Sequence, residues 1–261
     1  MKFPCWVDGA LCSAEDARIC ADDSAYTEGR GCYTSARVTR GEVRFEARHT
    51  ERLVRDARAI GLHGIDPQGV SSALRQLAAA AFSEDEGIVR LQASRDAAGA
   101  VHLVGVARAL GDDRPEWRAI RAPQVHDGGV VAGGPKLAGR LVLALASEAA
   151  RAAGAQEALL FDREGYLVEG SRSNLIVCRA DGALVTPPLA RGAVAGIARA
   201  ILLARMRDLR EADVAAGELP KAREIIAVNA VRGARPIVTL DTQSVGEGPR
   251  PLLARLADAL A

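Results

Sequence analysis

The stretch LLFDREGYLVEGSRSNLIV, Leu159 to Val177, reads as a β-hairpin whose apolar runs suit an interior sheet, yet its second strand carries an acid, Glu169, directly after Val168. An isolated carboxylate buried in such a strand costs several kcal/mol, so an interior Glu169 needs a cationic partner. Read by itself, the residue also suits a solvent-facing hairpin position. The nature of that cation is the question the rest of the chain has to answer.

Around this hairpin the pattern is mixed. Trp6 to Glu46 is strand-like and turn-rich, with a hairpin centred on Arg40-Gly41. Leu53, Ala57 and Ile60 recur at helical spacing and predict a helix from His49 to about Ile60; a second follows from about Val70 to Phe82, after Pro67. GIVRLQASRD and AVHLVGVARAL read as strands. Gly111 to Gly134 is polar and Gly/Pro-bearing, a boundary region with a short strand or two. PKLAGRLVLALASEAARAAG predicts a helix with Pro135 in its first turn and Gly154 as its stop. Hairpin strands from about 157 to 187, a helix from Gly196, a short helix near Ala215 to Ala222, the strand EIIAVNAV and a helix from Pro251 complete the expectation. No internal repeat is visible.

With 34 basic against 33 acidic residues among 261, the net charge of +1 gives no electrostatic case for nucleic acid or an anionic membrane, and a small-molecule substrate is expected. Apolar runs such as LVLALA are too short to span a bilayer, and the opening MKFPCWVDGALC has no long apolar core, so the expected location is cytoplasmic. Five cysteines, odd in number and irregularly spaced, argue against a disulfide framework and a structural metal site. Lysine occurs only at positions 2, 136 and 221, so arginine supplies 31 of the 34 basic side chains. Chemistry that requires a primary amine therefore has few places to reside.

Lys136 follows Gly133-Gly134-Pro135 in an apolar approach, and burial there would lower its pKa and make the amine a nucleophile; a solvated helix-start lysine is the plainer alternative. AGIARAILLARM opens at a glycine, so the free N–H groups of Gly196, Ile197 and Ala198 suit an anion such as phosphate, or simply a tight turn into a core helix. The turn VNAVRG, after the strand EIIA, offers further N–H groups or an ordinary strand end. Arg52 lies one position from the apolar stripe begun by Leu53, where a guanidinium can grip a phosphate bidentately or form a surface ion pair.

Taken together these segments resemble the class IV aminotransferases, pyridoxal 5'-phosphate (PLP) enzymes that include branched-chain and D-amino-acid transaminases and 4-amino-4-deoxychorismate lyase. The resemblance rests on GCYTSARVTRGEVRFEARHTERL, GPKLAGRL, EALLFDREGYLVEGSRSNLIVCRADGALVTPPL, GIAR and IIAVNAVRGARPI, in that order over nearly the whole chain. It implies an α/β (α+β) PLP fold type IV, like the D-amino-acid aminotransferases. A smaller N-terminal domain (1–120) and a larger C-terminal domain (121–261) carrying the PLP lysine would place the cofactor at their interface, in a homodimer. Lys136 would bind PLP covalently and move the proton, and Glu169 would pair with the protonated ring nitrogen. Arg52, Gly196, Ile197, Ala198, Asn229 and Ala230 would hold the phosphate, Val194 would pack on the ring, and Ser173 and Asn174 would belong to the cofactor-binding EGSxSN stretch.

GCYTSARV and VNAVRGARPI are more similar to the aminodeoxychorismate lyases than to the transaminases. In the implied lyase reaction the substrate's ring amine displaces Lys136, Lys136 removes the adjacent proton, and the enolpyruvyl group leaves, giving 4-aminobenzoate and pyruvate. Tyr33 and Thr34 would flank the reacting atoms. The alternatives are a transaminase of branched-chain or D-amino acids and a catalytically inactive relative acting as a binding protein. Departures from the family pattern are EGRG (Glu28 to Gly31) for FGDG, Ser24 for an arginine, and Gly139 for an asparagine; a clear Arg/His pair for a D-amino-acid carboxylate is also missing. Arg30, Arg95 and Arg232 are the candidates for substrate carboxylates.

Overall fold

In a computed structural model that describes residues 3–129, 131–246 and 249–261, two-residue turns set up the first sheet. Asp8-Gly9 (φ 43° and 106°) joins β1 (Cys5–Val7) to β2 (Ala10–Cys12), and Arg40-Gly41 (φ 49° and 76°) joins β3 (Cys32–Thr39) to β4 (Glu42–Val43). Positive φ at both central residues matches the twist of antiparallel strands. A short helix, α1 (Ser24–Thr27), precedes β3; α2 (Glu46–Ala59), α3 (Pro67–Phe82), β5 (Glu86–Arg95) and β6 (Val101–Ala109) follow β4. The sheet order is β2-β1-β6-β5-β3-β4, with every pair antiparallel.

Helix α3 starts where Asp66 accepts hydrogen bonds from the N–H groups of Gln68 (3.1 Å) and Gly69 (2.9 Å), with Pro67 in the first turn. Leu53 and Ala57 of α2 and Val70, Leu74 and Leu77 of α3 are buried together with Ala36, Val38, Val89 and Leu91 of the sheet. This core fixes α2, and with it the side chains of His49 and Arg52.

The second sheet runs β12-β11-β10-β13-β14-β7-β8-β9. Its strands are β7 (Trp117–Val125), β8 (Glu157–Phe161), β9 (Leu167–Gly170), β10 (Asn174–Cys178), β11 (Leu184–Thr186), β12 (Leu209–Glu211), β13 (Glu224–Asn229) and β14 (Gly233–Leu240), with β15 (Gln243–Ser244) on β14. Helices α4 (Leu141–Ala152), α5 (Ile197–Arg205) and α6 (Pro251–Leu260) complete this part. Every residue of β8 to β11 except Phe161 is buried, which accounts for their largely apolar make-up and leaves Glu157 and Glu169 as buried acids among them. Glu224 on β13 caps α6 by accepting from the N–H groups of Leu252 (2.9 Å) and Leu253 (3.3 Å).

Two compact units result: residues 1–112 with 135–139, and residues 113–134 with 140–261. A division at 120/121 would cut β7, which pairs with β14 and β8 of the second unit. The lysine segment groups with the first unit rather than the second. It is also not helical where a helix was expected from Pro135. Gly133 and Gly134 turn the chain at positive φ, and residues 135–139 run extended beside the start of β3, so α4 begins only at Leu141. There the Tyr33 N–H donates to the Lys136 carbonyl (2.9 Å), the Ala138 N–H donates to the Gly31 carbonyl (2.8 Å), and Cys32 bridges Leu137. Strand pairing with β3 wins over helix propensity. Lys2 lies outside the described residues. No described helix is long and apolar enough to cross a membrane.

Candidate functional site

In the first unit, the extended segment and α2 bring Lys136, Tyr33, Thr34 and Arg52 into one cluster. Lys136 is anchored through its backbone, its N–H donating to Asp56 Oδ2 (2.8 Å), while its Nζ stands 4.9 Å from the centre of the Tyr33 ring. The guanidinium of Arg90, on β5, lies 3.6 Å from the centre of that ring and donates to Gln92 Oε1 (2.9 Å). Cross-strand pairing puts Tyr33 opposite Gln92, which is why Arg90 and Gln92 flank it.

Beneath this cluster Arg52 Nη2 donates to Thr34 Oγ1 (2.5 Å), and Thr34 Oγ1 lies 2.7 Å from His49 Nδ1. Because Thr34 accepts from arginine, its own proton goes to Nδ1, which leaves the proton of a neutral His49 on Nε2. Burial, with Arg52 and Lys136 nearby, pushes the His49 pKa well below its usual range and keeps the ring neutral. Burial also pulls Arg52 down to about 10, with Asp56 opposing, so the guanidinium stays charged at neutral pH. His49 Nε2 and Arg52 Nε are buried with no hydrogen-bond partner. Two orphaned donors in one buried cluster are what an anion would satisfy.

The second unit holds a buried cluster of its own around Glu169. Glu169 is 2% exposed; Oε1 lies 2.6 Å from Arg140 Nη2 and 3.6 Å from His126 Nε2, and Oε2 accepts from the Val194 N–H (2.9 Å). The cation demanded by the sequence is therefore present within the protein as Arg140, a residue the pattern did not single out. Asn174 Nδ2 donates to the Val194 carbonyl (2.9 Å), which joins Glu169, Val194 and Asn174 to the start of α5. A Cβ on Gly196 would stand 2.0 Å from Asn174 Oδ1, so only glycine permits this approach. Among the described residues no acceptor meets the N–H groups of Ile197 or Ala198 at the α5 N-terminus, nor that of Ala230. All three residues are buried.

Other expected residues make defined contacts within their own units. Ser173 Oγ donates to Glu157 Oε2 (2.7 Å) and Ser171 Oγ to Glu157 Oε1 (2.5 Å), so these hydroxyls hold the EGSRSN turn to a fully buried carboxyl whose pKa burial raises. Asn229 Oδ1 accepts from the N–H groups of Val231 (3.0 Å) and Arg232 (2.7 Å) and so shapes the turn after β13. Thr34 is wholly buried and is held between Arg52 and His49.

Of the arginine candidates, Arg30 donates to the Ile60 carbonyl (3.1 Å) at the end of α2, and Arg232 lies 3.3 Å from Asp113. Arg95 is held through its backbone N–H, which donates to Ser24 Oγ (3.2 Å); that hydroxyl donates in turn to the Arg30 carbonyl (2.8 Å). Ser24 thus ties the EGRG turn to β5. Gly139 lies against Gly29, whose carbonyl oxygen would be 3.1 Å from a Cβ at position 139, so the missing asparagine reflects a close backbone approach. Arg90, Arg140 and His49 were missed because no sequence period marks them; only strand register and the packing of α2 reveal them.

Comparison with known proteins agrees with this arrangement. The family profile "Amino-transferase class IV" matches residues 31–240. The D-alanine aminotransferase of Staphylococcus haemolyticus is 27% identical over 93% of this chain and 91% of its own length. A probable branched-chain-amino-acid aminotransferase of Aquifex aeolicus is 26% identical over 57% of this chain, a match spanning only 50% of that relative. Among solved structures, 4-amino-4-deoxychorismate lyase from Pseudomonas aeruginosa is 27% identical with a TM-score of 0.84, covering 98% of this chain and 97% of that one. The branched-chain aminotransferase of Thermoproteus uzoniensis is 26% identical with a TM-score of 0.87, covering 99% and 93%. The two-unit α/β architecture is that of the fold type IV aminotransferases, and the chain belongs to the class IV aminotransferase family.

Proposed function

We propose that this chain is a PLP-dependent lyase that converts 4-amino-4-deoxychorismate to 4-aminobenzoate and pyruvate, working as a cytoplasmic homodimer. The residues fit PLP. In the first unit the unpartnered donors of Arg52 and His49 suit a phosphate, and in the second the N–H groups of Ile197, Ala198 and Ala230 do so. Glu169, buried and bonded to Arg140 and the Val194 N–H, suits a protonated ring nitrogen. Lys136 supplies the amine. When bound, PLP provides an electron sink for the carbon that carries the substrate amine.

The chain's own residues do the rest. Lys136 Nζ takes the proton from that carbon, and its backbone tethers to Asp56 and Tyr33 hold the amine in place. Tyr33 screens one side of the amine. Thr34 positions Arg52 and His49 instead of meeting the substrate.

The observation that carries the lyase reading over a branched-chain transaminase is the setting of the Lys136 amine in its own unit. Tyr33 and the Arg90 guanidinium, with Gln92, make that neighbourhood aromatic and cationic rather than aliphatic. It suits a cyclic substrate bearing carboxylates better than a branched hydrocarbon side chain. The transaminase reading is favoured by the full-length match to a D-alanine aminotransferase.

A pyruvate-coupled assay with enzymatically made aminodeoxychorismate separates the two. Pyruvate release in equimolar yield with 4-aminobenzoate is expected. No release by fully PLP-loaded protein, together with conversion of the cofactor to its pyridoxamine form by amino donors, would establish the transaminase instead.

A further inference from the structure

Glu169 already has a cation. Arg140, at the N-cap of α4, reaches it at 2.6 Å with side chains only 13% and 3% exposed, and the second nitrogen of the same guanidinium, Nη1, is buried with no hydrogen-bond partner. His126 faces Glu169 Oε1 from another direction at 3.6 Å. Its Nδ1 accepts the Gly128 N–H (3.2 Å), which leaves Nε2 turned toward Glu169. One carboxylate thus receives a guanidinium and a backbone N–H, with the His126 ring 3.6 Å away, before any ligand is considered.

A carboxylate whose charge is already neutralised is a weaker base toward a further cation. Resting on the PLP reading above, we propose that Arg140 is a positioning residue that shares Glu169 with the cofactor's ring nitrogen and thereby limits how firmly that nitrogen holds its proton. The electron-withdrawing strength of the bound ring is then set by a pair of protein residues rather than by Glu169 alone. Arg140 touches Glu169 and acts on the ring nitrogen only through it.

The test compares two cofactors on the apoprotein: PLP, and 1-deazapyridoxal phosphate, which has a C–H in place of the ring nitrogen. Dissociation constants are measured by fluorescence titration for wild type, Arg140→Gln and Arg140→Lys. If Arg140 shares the carboxylate, Arg140→Gln frees Glu169 for the ring nitrogen and raises the preference for PLP over the deaza analogue about tenfold, whereas Arg140→Lys stays near wild type. A purely structural role at the start of α4 changes both affinities alike, and an unchanged ratio in Arg140→Gln overturns the proposal.

Failure of both cofactors to bind the wild type would sink the PLP reading and this inference together. PLP binding with an unmoved ratio sinks only the inference. If Arg140→Gln does not fold, wild type loaded with 15N-labelled PLP carries the test. The ring-nitrogen resonance is expected to move toward neutral pyridine by about pH 9, and a resonance fixed at the pyridinium position refutes the sharing.

Discussion

Gly196→Ala is the sharpest probe of the second-unit cluster because its effect follows from one distance. The new methyl carbon would lie 2.0 Å from Asn174 Oδ1 and 3.3 Å from Asn174 Cγ, so the amide must swing away. That motion breaks the 2.9 Å bond from Asn174 Nδ2 to the Val194 carbonyl. Both residues are 6% exposed, so the broken partners stay buried. An unsatisfied buried pair costs about 1–3 kcal/mol, and overpacking adds about 1–3 kcal/mol, for a total loss of roughly 2–6 kcal/mol. Urea denaturation of the apoprotein measures it, with the wild-type slope confirming that the unfolding reaction is unchanged. Asn174→Ala removes the obstacle, so in that background Gly196→Ala is expected to cost at least 2 kcal/mol less, a coupling a double-mutant cycle isolates from unrelated damage. Gly196→Ala within about 0.5 kcal/mol of wild type, or a cycle that closes additively, would refute this account of the approach.

Further expectations follow from the buried charges and the amine. Removing Glu169 as Glu169→Ala strands Arg140 and is expected to destabilise the protein by about 3–5 kcal/mol in thermal or chemical unfolding. His49 stays neutral when folded but is protonated in the unfolded chain below its ordinary pKa of 6.5, so its contribution to stability is complete above that pH and falls on acidification by up to about 1.4 kcal/mol per unit. Comparing His49→Gln with wild type between about pH 5 and 6.5 reads this directly; equal slopes would contradict a buried neutral ring. His102, raised mainly by its hydrogen bond to Asp8, works in the opposite sense: its stabilisation is present below 6.5 and is lost as pH rises through the elevated pKa. Borohydride reduction in the presence of PLP should label Lys136, and Lys136→Ala should give neither label nor chromophore. Arg90→Ala should raise the KM for aminodeoxychorismate more than it lowers kcat, as measured by steady-state kinetics, and an unchanged KM would remove Arg90 from substrate recognition.

Local chemistry wrote much of this into the chain. The Arg40-Gly41 turn and the β5 and β6 strands are determined by nearby residues and are present, while α3 begins at Pro67 itself rather than at about Val70. The segment PKLAG misled because its composition suits a helix start, while the deciding interaction is a set of backbone bonds to Gly31 and Tyr33, about a hundred residues away. The same limit applied at Glu169. Sequence could state that a buried acid needs a cation, but Arg140 answers that need only through the meeting of β9 with the start of α4. Arg90 was hidden for a similar reason, since its relation to Tyr33 exists only in the register of β3 against β5.

The interrupted course of the first unit also has a consequence for synthesis. Its final piece, residues 135–139, emerges only after residues 113–134 of the other unit have been made. A nascent chain ending at Asp112 would hold all three helices and all six strands of the first unit but would leave the Gly31 carbonyl and the Tyr33 N–H without their native partners. At about 5–20 residues per second, the ribosome needs a further interval of roughly one to six seconds to deliver Gly139. During that interval the unit can be nearly assembled while still lacking the segment that carries its lysine.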